Sequence, residues 1–137
     1  MCLHKATSGE VIARVKTGTD KVIGVGWNKN TDTVTTVGVK HICFWKFNGS
    51  GFDRRRRGLV GRKGKRQSHM SVAFAEDGRT WTGAYSGAVY VWSGNKLRKV
   101  LKGHKGHVNA LWAAGDYMVS GDLKGNLIFW SHSVSSA

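Results

Sequence analysis

Three times in 137 residues a short run of β-branched and aromatic side chains ends in tryptophan: HICFW at 41–45, AVYVW at 88–92 and NLIFW at 126–130. Trp45, Trp92 and Trp130 therefore stand 47 and 38 residues apart. A glycine-bearing turn precedes each run (VGVK, AYSG, DLKG). Before each turn comes a second β-rich segment (TVTTVG, RTWTGA, YMVSGD), and before that a third (VIGVGW, MSVAF, HVNALW). A period of roughly forty residues constrains the chain more than its composition can, because each unit is too small to bury its own apolar surface and must stack on its neighbours. No convincing helical stripe competes with the strands. Glycine supports the same reading. The chain has 19 glycines and no proline, about twice the usual ~7% of glycine, as many tight turns require.

With three strands a, b and c per unit, and a fourth, d, fitting Lys96 to Leu101 of the second, the sequence predicts an all-β chain of WD40-type β-propeller blades, about three in an incomplete ring. Residues 1–21 read as the end of a preceding blade, with His4 in the tryptophan position and HKATSGEVIARV as strand c end, turn and strand d. Residues 22–69 read as one blade and 70–107 as the next. Residues 108–137 read as strands a to c of a third, ending in the polar tail SHSVSSA. A closed propeller usually has about 4–8 blades. The expectation is that other blades, of the same or another chain, complete the ring and cover its open edges.

The residues in the blade pattern are structural. In the third unit His104 lies before strand a, Ser120 in strand b and Trp130 at the end of strand c. A hydrogen-bonded staple of His, Ser and Trp with a turn Asp would fix such a blade. The Asp position, just before the turn glycine, holds Lys124 here and Ser86 in the second unit, so the staple is expected to lack its carboxylate. Trp45 and Trp92 are the equivalents of Trp130. An enzyme is not expected. Acidic residues are few and scattered, and no phosphate-cradling glycine motif is present. His41 and Cys43 sit two apart with no further ligands at zinc spacing, so neither a metal nor a cofactor is expected. Two cysteines form no disulfide framework, and no apolar run approaches the ~20 residues that span a membrane.

Charge is the remaining signal. The chain carries 22 Lys and Arg against 8 acidic residues, a field that attracts acidic partners without naming one. Residues 54–66 read RRRRGLVGRKGKR, with no acid between Asp53 and Glu76. The segment reads as a c–d insert in the first blade. Its cations Arg54, Arg55, Arg56, Arg57, Arg62, Lys63, Lys65 and Arg66 are the candidate partner-binding residues. Three readings stay open: a solvated loop, a contact with an acidic protein polymer, and nucleic-acid binding or nuclear import. No aromatic residue lies among the cations, which weighs against a reader of single strands, where bases stack on rings.

Three ordered phrases carry a family resemblance: TVGVKHICFWKF (36–47), GLVGRKGKRQSHMSVAF (58–74) and TGAYSGAVYVWSGNKLRKVLKGHKGHVNAL (82–111). They resemble the echinoderm microtubule-associated protein-like family over roughly residues 10–130. The resemblance implies tandem atypical propellers that dock on tubulin and organise microtubules, including those of cilia and flagella. It implies a scaffold of the cytoplasm and cytoskeleton, with the eight cations above facing an acidic tubulin surface. The alternative is a nucleic-acid or ribosome-associated WD-repeat adaptor that uses the same basic segment.

Overall fold

The computed structural model describes residues 1–131, except for the side chain of Arg54; the polar tail expected at the end lies outside the described residues from position 132 onward. Thirteen strands occur among them and no helix. β1 (Cys2–His4) and β2 (Val11–Arg14) form a hairpin. β3 (Val22–Asn28), β4 (Thr33–Gly38), β5 (His41–Phe47) and β6 (Phe52–Arg57) make the first antiparallel meander. β7 (His69–Phe74), β8 (Thr80–Ala84), β9 (Ala88–Ser93) and β10 (Lys96–Lys102) make the second. β11 (Val108–Ala114), β12 (Tyr117–Asp122) and β13 (Leu127–Ser131) make the third. Consecutive meanders of this kind are β-propeller blades.

Burial along each strand records the stacking. A strand with one face covered alternates, and one covered on both faces does not. In β8 all five residues are buried, and so are Ala88–Trp92 of β9, because the second sheet lies between the other two. On one side Val37, Ile42 and Phe44 of the first sheet pack on Ala84, Tyr90 and Trp92. On the other side Trp81, Val89 and Val91 pack on Val108 and Met118 of the third sheet. Val34, Cys43 and Trp45 form a smaller cluster with Met1, Val15 and Phe52, joining the first hairpin to the first sheet. β13 alternates instead: Leu127 and Phe129 are exposed while Ile128 and Trp130 are half-buried. A fully buried aromatic such as Trp92 contributes on the order of 3 kcal/mol of transfer free energy, so the interfaces between sheets hold the blades in place.

The arginine run departs from its sequence reading. Arg54 to Arg57 do not lie in a c–d insert; they form most of β6, the fourth strand of the first sheet. β6 pairs with β5 through Cys43↔Arg57, Phe44↔Arg56 and Trp45↔Arg55, then slips to Lys46↔Asp53. Arg54 is the extra residue of that bulge. Four arginines are tolerated because β6 is an outer strand. The aliphatic stems of Arg55, Arg56 and Arg57 can lie along β5 while their charges reach water, and charge on an edge discourages pairing with another chain. The Arg55 guanidinium lies 5.8 Å from the centroid of the Trp45 ring. Residues 58–68 are then the connection from β6 to β7, so the basic segment is part strand and part connection.

Candidate docking face

The same staple occurs in all three sheets, with different chemistry each time. In the third, the Trp130 indole Nε1 donates to Ser120 Oγ at 2.8 Å. Ser120 Oγ lies 2.6 Å from His104 Nε2, and His104 Nδ1 lies 2.8 Å from Asp122 Oδ2. A hydroxyl that accepts from the indole donates onward to Nε2, which leaves Nδ1–H for the carboxylate. Asp122 Oδ1 also accepts the backbone amides of Lys124 and Asn126 at 2.8 and 3.0 Å. The Asn126 amide is the main reason this carboxyl sits well below the ordinary carboxylate range. Partial desolvation opposes it, and His104 and Lys124 add to it. The expectation of a staple without carboxylate is therefore wrong here: Asp122, at the end of β12, supplies it, two positions before Lys124. Its side chain is shielded from solvent.

In the first sheet the imidazole and carboxylate exchange stations. Trp45 Nε1 donates to Thr36 Oγ1 (3.1 Å), which lies 2.7 Å from His41 Nε2. His41 Nδ1 lies 3.4 Å from Asp20 Oδ2. Here the histidine opens strand β5 and the acid precedes β3, the reverse of His104 and Asp122. In the second sheet Trp92 Nε1 donates to Thr82 Oγ1 (2.9 Å), and Thr82 Oγ1 lies 3.1 Å from His69 Nδ1. Among the described residues no acid is bonded to His69. Burial lowers its pKa to about 4, so the ring is neutral at physiological pH.

All three staples sit where the b–c turns meet the segments leading into the first strand of each sheet. Val39 N donates to Lys21 O, Tyr85 N to Ser68 O and Leu123 N to His107 O. The contact also runs between sheets. Gly87 has φ +94°, and a Cβ there would lie 2.2 Å from His104 O, so only glycine lets this turn close on the lead-in of the third sheet. One end of the strands thus forms a continuous face.

That face is basic. The exposed Lys21, Lys40, Arg66, Lys102, Lys105 and Lys124 lie in its turns and lead-in segments or at the adjoining strand end. Its two acids, Asp20 and Asp122, are each paired with a histidine. Asp32, Asp53, Glu76, Asp77 and Asp116 lie in or beside a–b and c–d turns, at the opposite end of the meanders. The eight cations singled out in the sequence are not brought to one point. Arg55, Arg57 and Arg66 border a cleft of about 250 Å³ together with Lys40. Arg56 borders a different cleft with Lys46, Asp53 and Asn95. Lys63 Nζ donates to Arg98 O at 2.9 Å, and Lys63 and Lys65 line a third cleft with Tyr90 and Lys102. Arg62 is exposed, and the side chain of Arg54 is outside the described residues. Sequence reasoning followed the dense run and missed Lys21, Lys40, Lys102, Lys105 and Lys124. The signal for them is their position beside the b–c turns or ahead of strand a. Among the described residues no group of three or more His, Cys, Asp and Glu could hold a metal. The arrangement offers a broad cationic surface on a rigid frame, suited to binding.

Comparison with known proteins agrees with the architecture. The family model described as "WD domain, G-beta repeat" matches residues 95–131. The ciliary WD repeat-containing protein ctxp80 of Euplotoides octocarinatus is 33% identical over 124 residues, covering 88% of this chain and 17% of that protein. Human echinoderm microtubule-associated protein-like 1 is 33% identical over 128 residues, covering 89% of this chain and 16% of that protein. The chain therefore spans about a sixth of the length of these curated relatives. Among solved structures, the computationally designed Ika8 protein aligns with a TM-score of 0.69 at 20% identity, over 94% of this chain and 39% of that one, a likeness of fold alone.

Proposed function

We propose, from the premise that the chain is a run of WD-repeat propeller blades similar to those of the echinoderm microtubule-associated protein-like proteins, that it is a scaffold whose basic face docks on the acidic surface of a microtubule. The observation that carries this reading is the sorting of acids, since exposed lysines such as Lys29 and Lys46 occur at the opposite end as well, beside its carboxylates. One end of the blades holds exposed lysines and arginines, and its only acids are already bonded to His41 and His104. The names of the two relatives point the same way, one ciliary and one microtubule-associated. The mechanism is docking without covalent chemistry. Exposed charges are screened beyond ~8 Å at physiological ionic strength, so the face must come into contact with the polymer. Arg54 to Arg57 contribute at the rim, and the lysines beside the b–c turns contribute across the face. The setting is the cytoskeleton, with the axoneme of a cilium or flagellum as the specific case. Further blades would cover the outer side of the third sheet, where Trp112, Leu127 and Phe129 are exposed.

The test is co-sedimentation with microtubules across a salt series, with duplex DNA as competitor. Wild type is compared with a variant in which Lys40, Lys102, Lys105 and Lys124 are changed to Ala, and with one in which Arg54 to Arg57 are changed to Ala. Binding should fall steeply with salt, and both variants should lose most of it at moderate salt. Excess DNA should compete poorly, because phosphate charge alone does not match a shaped face. Undiminished pelleting of both variants would remove the docking role. Displacement by stoichiometric DNA would favour the nucleic-acid adaptor instead.

A further inference from the structure

The cleft of about 250 Å³ between the first sheet and the β6–β7 connection differs from the rest of the basic surface, because four cationic residues border one small volume. Arg55 and Arg57 line it from β6, with the Arg55 guanidinium over the Trp45 ring, Lys40 from the β4–β5 turn and Arg66 from the connection. Arg55 and Arg57 share a side because they are two apart on a strand, whereas Arg56 between them borders the cleft on the other side. None of these four cations forms an ion pair among the described residues. The one acid lining the cleft, Asp20, is directed at His41, so the lining holds four cations against a single, already bonded carboxylate.

The cleft also offers a neutral donor. His69 is 1% exposed and lines it. Trp92 Nε1–H donates to Thr82, so the Thr82 hydroxyl hydrogen is free to donate to His69 Nδ1. This places the imidazole hydrogen on Nε2. That nitrogen has no hydrogen-bond partner among the described residues. Gln67, whose Oε1 accepts from Ser86 N, closes the wall beside it.

We propose that this cleft is a phosphoryl-binding site that takes a phosphorylated side chain of a protein partner. Several cations around one small volume, with an unpaired N–H donor, suit a group that concentrates close to two negative charges and three acceptor oxygens on one atom. A run of carboxylates would instead need cations spaced along a line. Arg56, Lys63 and Lys65, which would have to extend such a line, border other clefts. The proposal goes beyond microtubule docking, since it concerns one pocket and one kind of modified residue.

The probe is a short uncharged peptide carrying one phosphoserine, titrated into the full chain by calorimetry, beside the same peptide with Glu or with unmodified Ser. The phosphopeptide should bind at least tenfold more tightly than the Glu form, and the Ser form should not bind measurably. Arg66→Ala and Lys40→Ala, both outside the strands, should each weaken phosphopeptide binding about tenfold or more. Arg56→Ala should change it less than twofold. An equal loss from Arg56→Ala would reduce the site to unspecific charge, and equal binding of the Glu peptide would replace phosphate by carboxylate; either result overturns the proposal. Microtubule co-sedimentation of the wild type, measured in parallel, separates this outcome from that of the docking role. Absence of phosphopeptide binding in a wild type that pellets removes this proposal alone, and phosphopeptide binding by a wild type that does not pellet removes the docking role alone.

Discussion

Acid should loosen the second blade through His69. Its folded pKa of about 4 lies below the ordinary histidine value of 6.5 because the ring is buried. The unfolded chain therefore takes up a proton at pH values where the folded chain does not. Stability is complete above about pH 6.5, declines as pH falls through the window from 6.5 to 4, and has lost its full share below 4. At 1.36 kcal/mol per pKa unit the whole window is worth about 3 kcal/mol, of which about 2 kcal/mol is lost by pH 5. The assay is equilibrium urea unfolding at pH 7.5 and pH 5, for wild type and for His69→Gln. Glutamine can still bond to Thr82 but does not titrate. The substitution lowers stability at pH 7.5, since the ring's edge contacts with Tyr90 and Trp92 are lost. The informative quantity is the difference between the two pH values, which should be about 2 kcal/mol smaller in the variant. An unchanged difference would refute the assignment of His69 as a neutral, desolvated member of the staple.

Three further substitutions test the packing. Ser120→Ala removes the hydroxyl that bridges Trp130 and His104, and stranding buried polar groups in this way should cost about 1–3 kcal/mol in urea unfolding; Lys124→Ala, by contrast, should be close to neutral because Asp122 is the acid of that staple. Thr35→Val should stabilise by about 1 kcal/mol, since the Thr35 hydroxyl is buried without a hydrogen-bond partner among the described residues, and a loss of stability there would mean that the hydroxyl is satisfied.

The strands that end in tryptophan were legible because apolar runs, glycine turns and a fixed period all repeat in the chain. β6 was not legible. An outer strand can be mostly arginine, since exposure relieves it of the apolar pattern by which strands are recognised. The staples were half legible. Ser120, His104 and Trp130 follow from the repeat, but Asp122 sits outside the position where a turn acid is expected. The pairing of His41 with Asp20 reverses the usual order along the chain. No spacing rule finds a pair whose members have traded places. The basic face was missed for a related reason. Its lysines are scattered in sequence and come together only because every b–c turn and every lead-in segment returns to the same end of the blades. A dense run such as RRRRGLVGRKGKR catches the eye, although folding divides Arg55, Arg56, Arg57, Lys63, Lys65 and Arg66 among three different clefts.

Docking through the basic face requires that one end of the blades, and not the other, meets the microtubule. Site-specific photo-crosslinking measures this directly. A photoreactive residue is placed at position 105 on the basic face or at position 116 in an a–b turn at the opposite end, both exposed, and each protein is irradiated on microtubules. Tubulin adducts are expected from position 105 and essentially none from position 116. Adducts from position 116 alone, or equally from both, would contradict docking through the basic face.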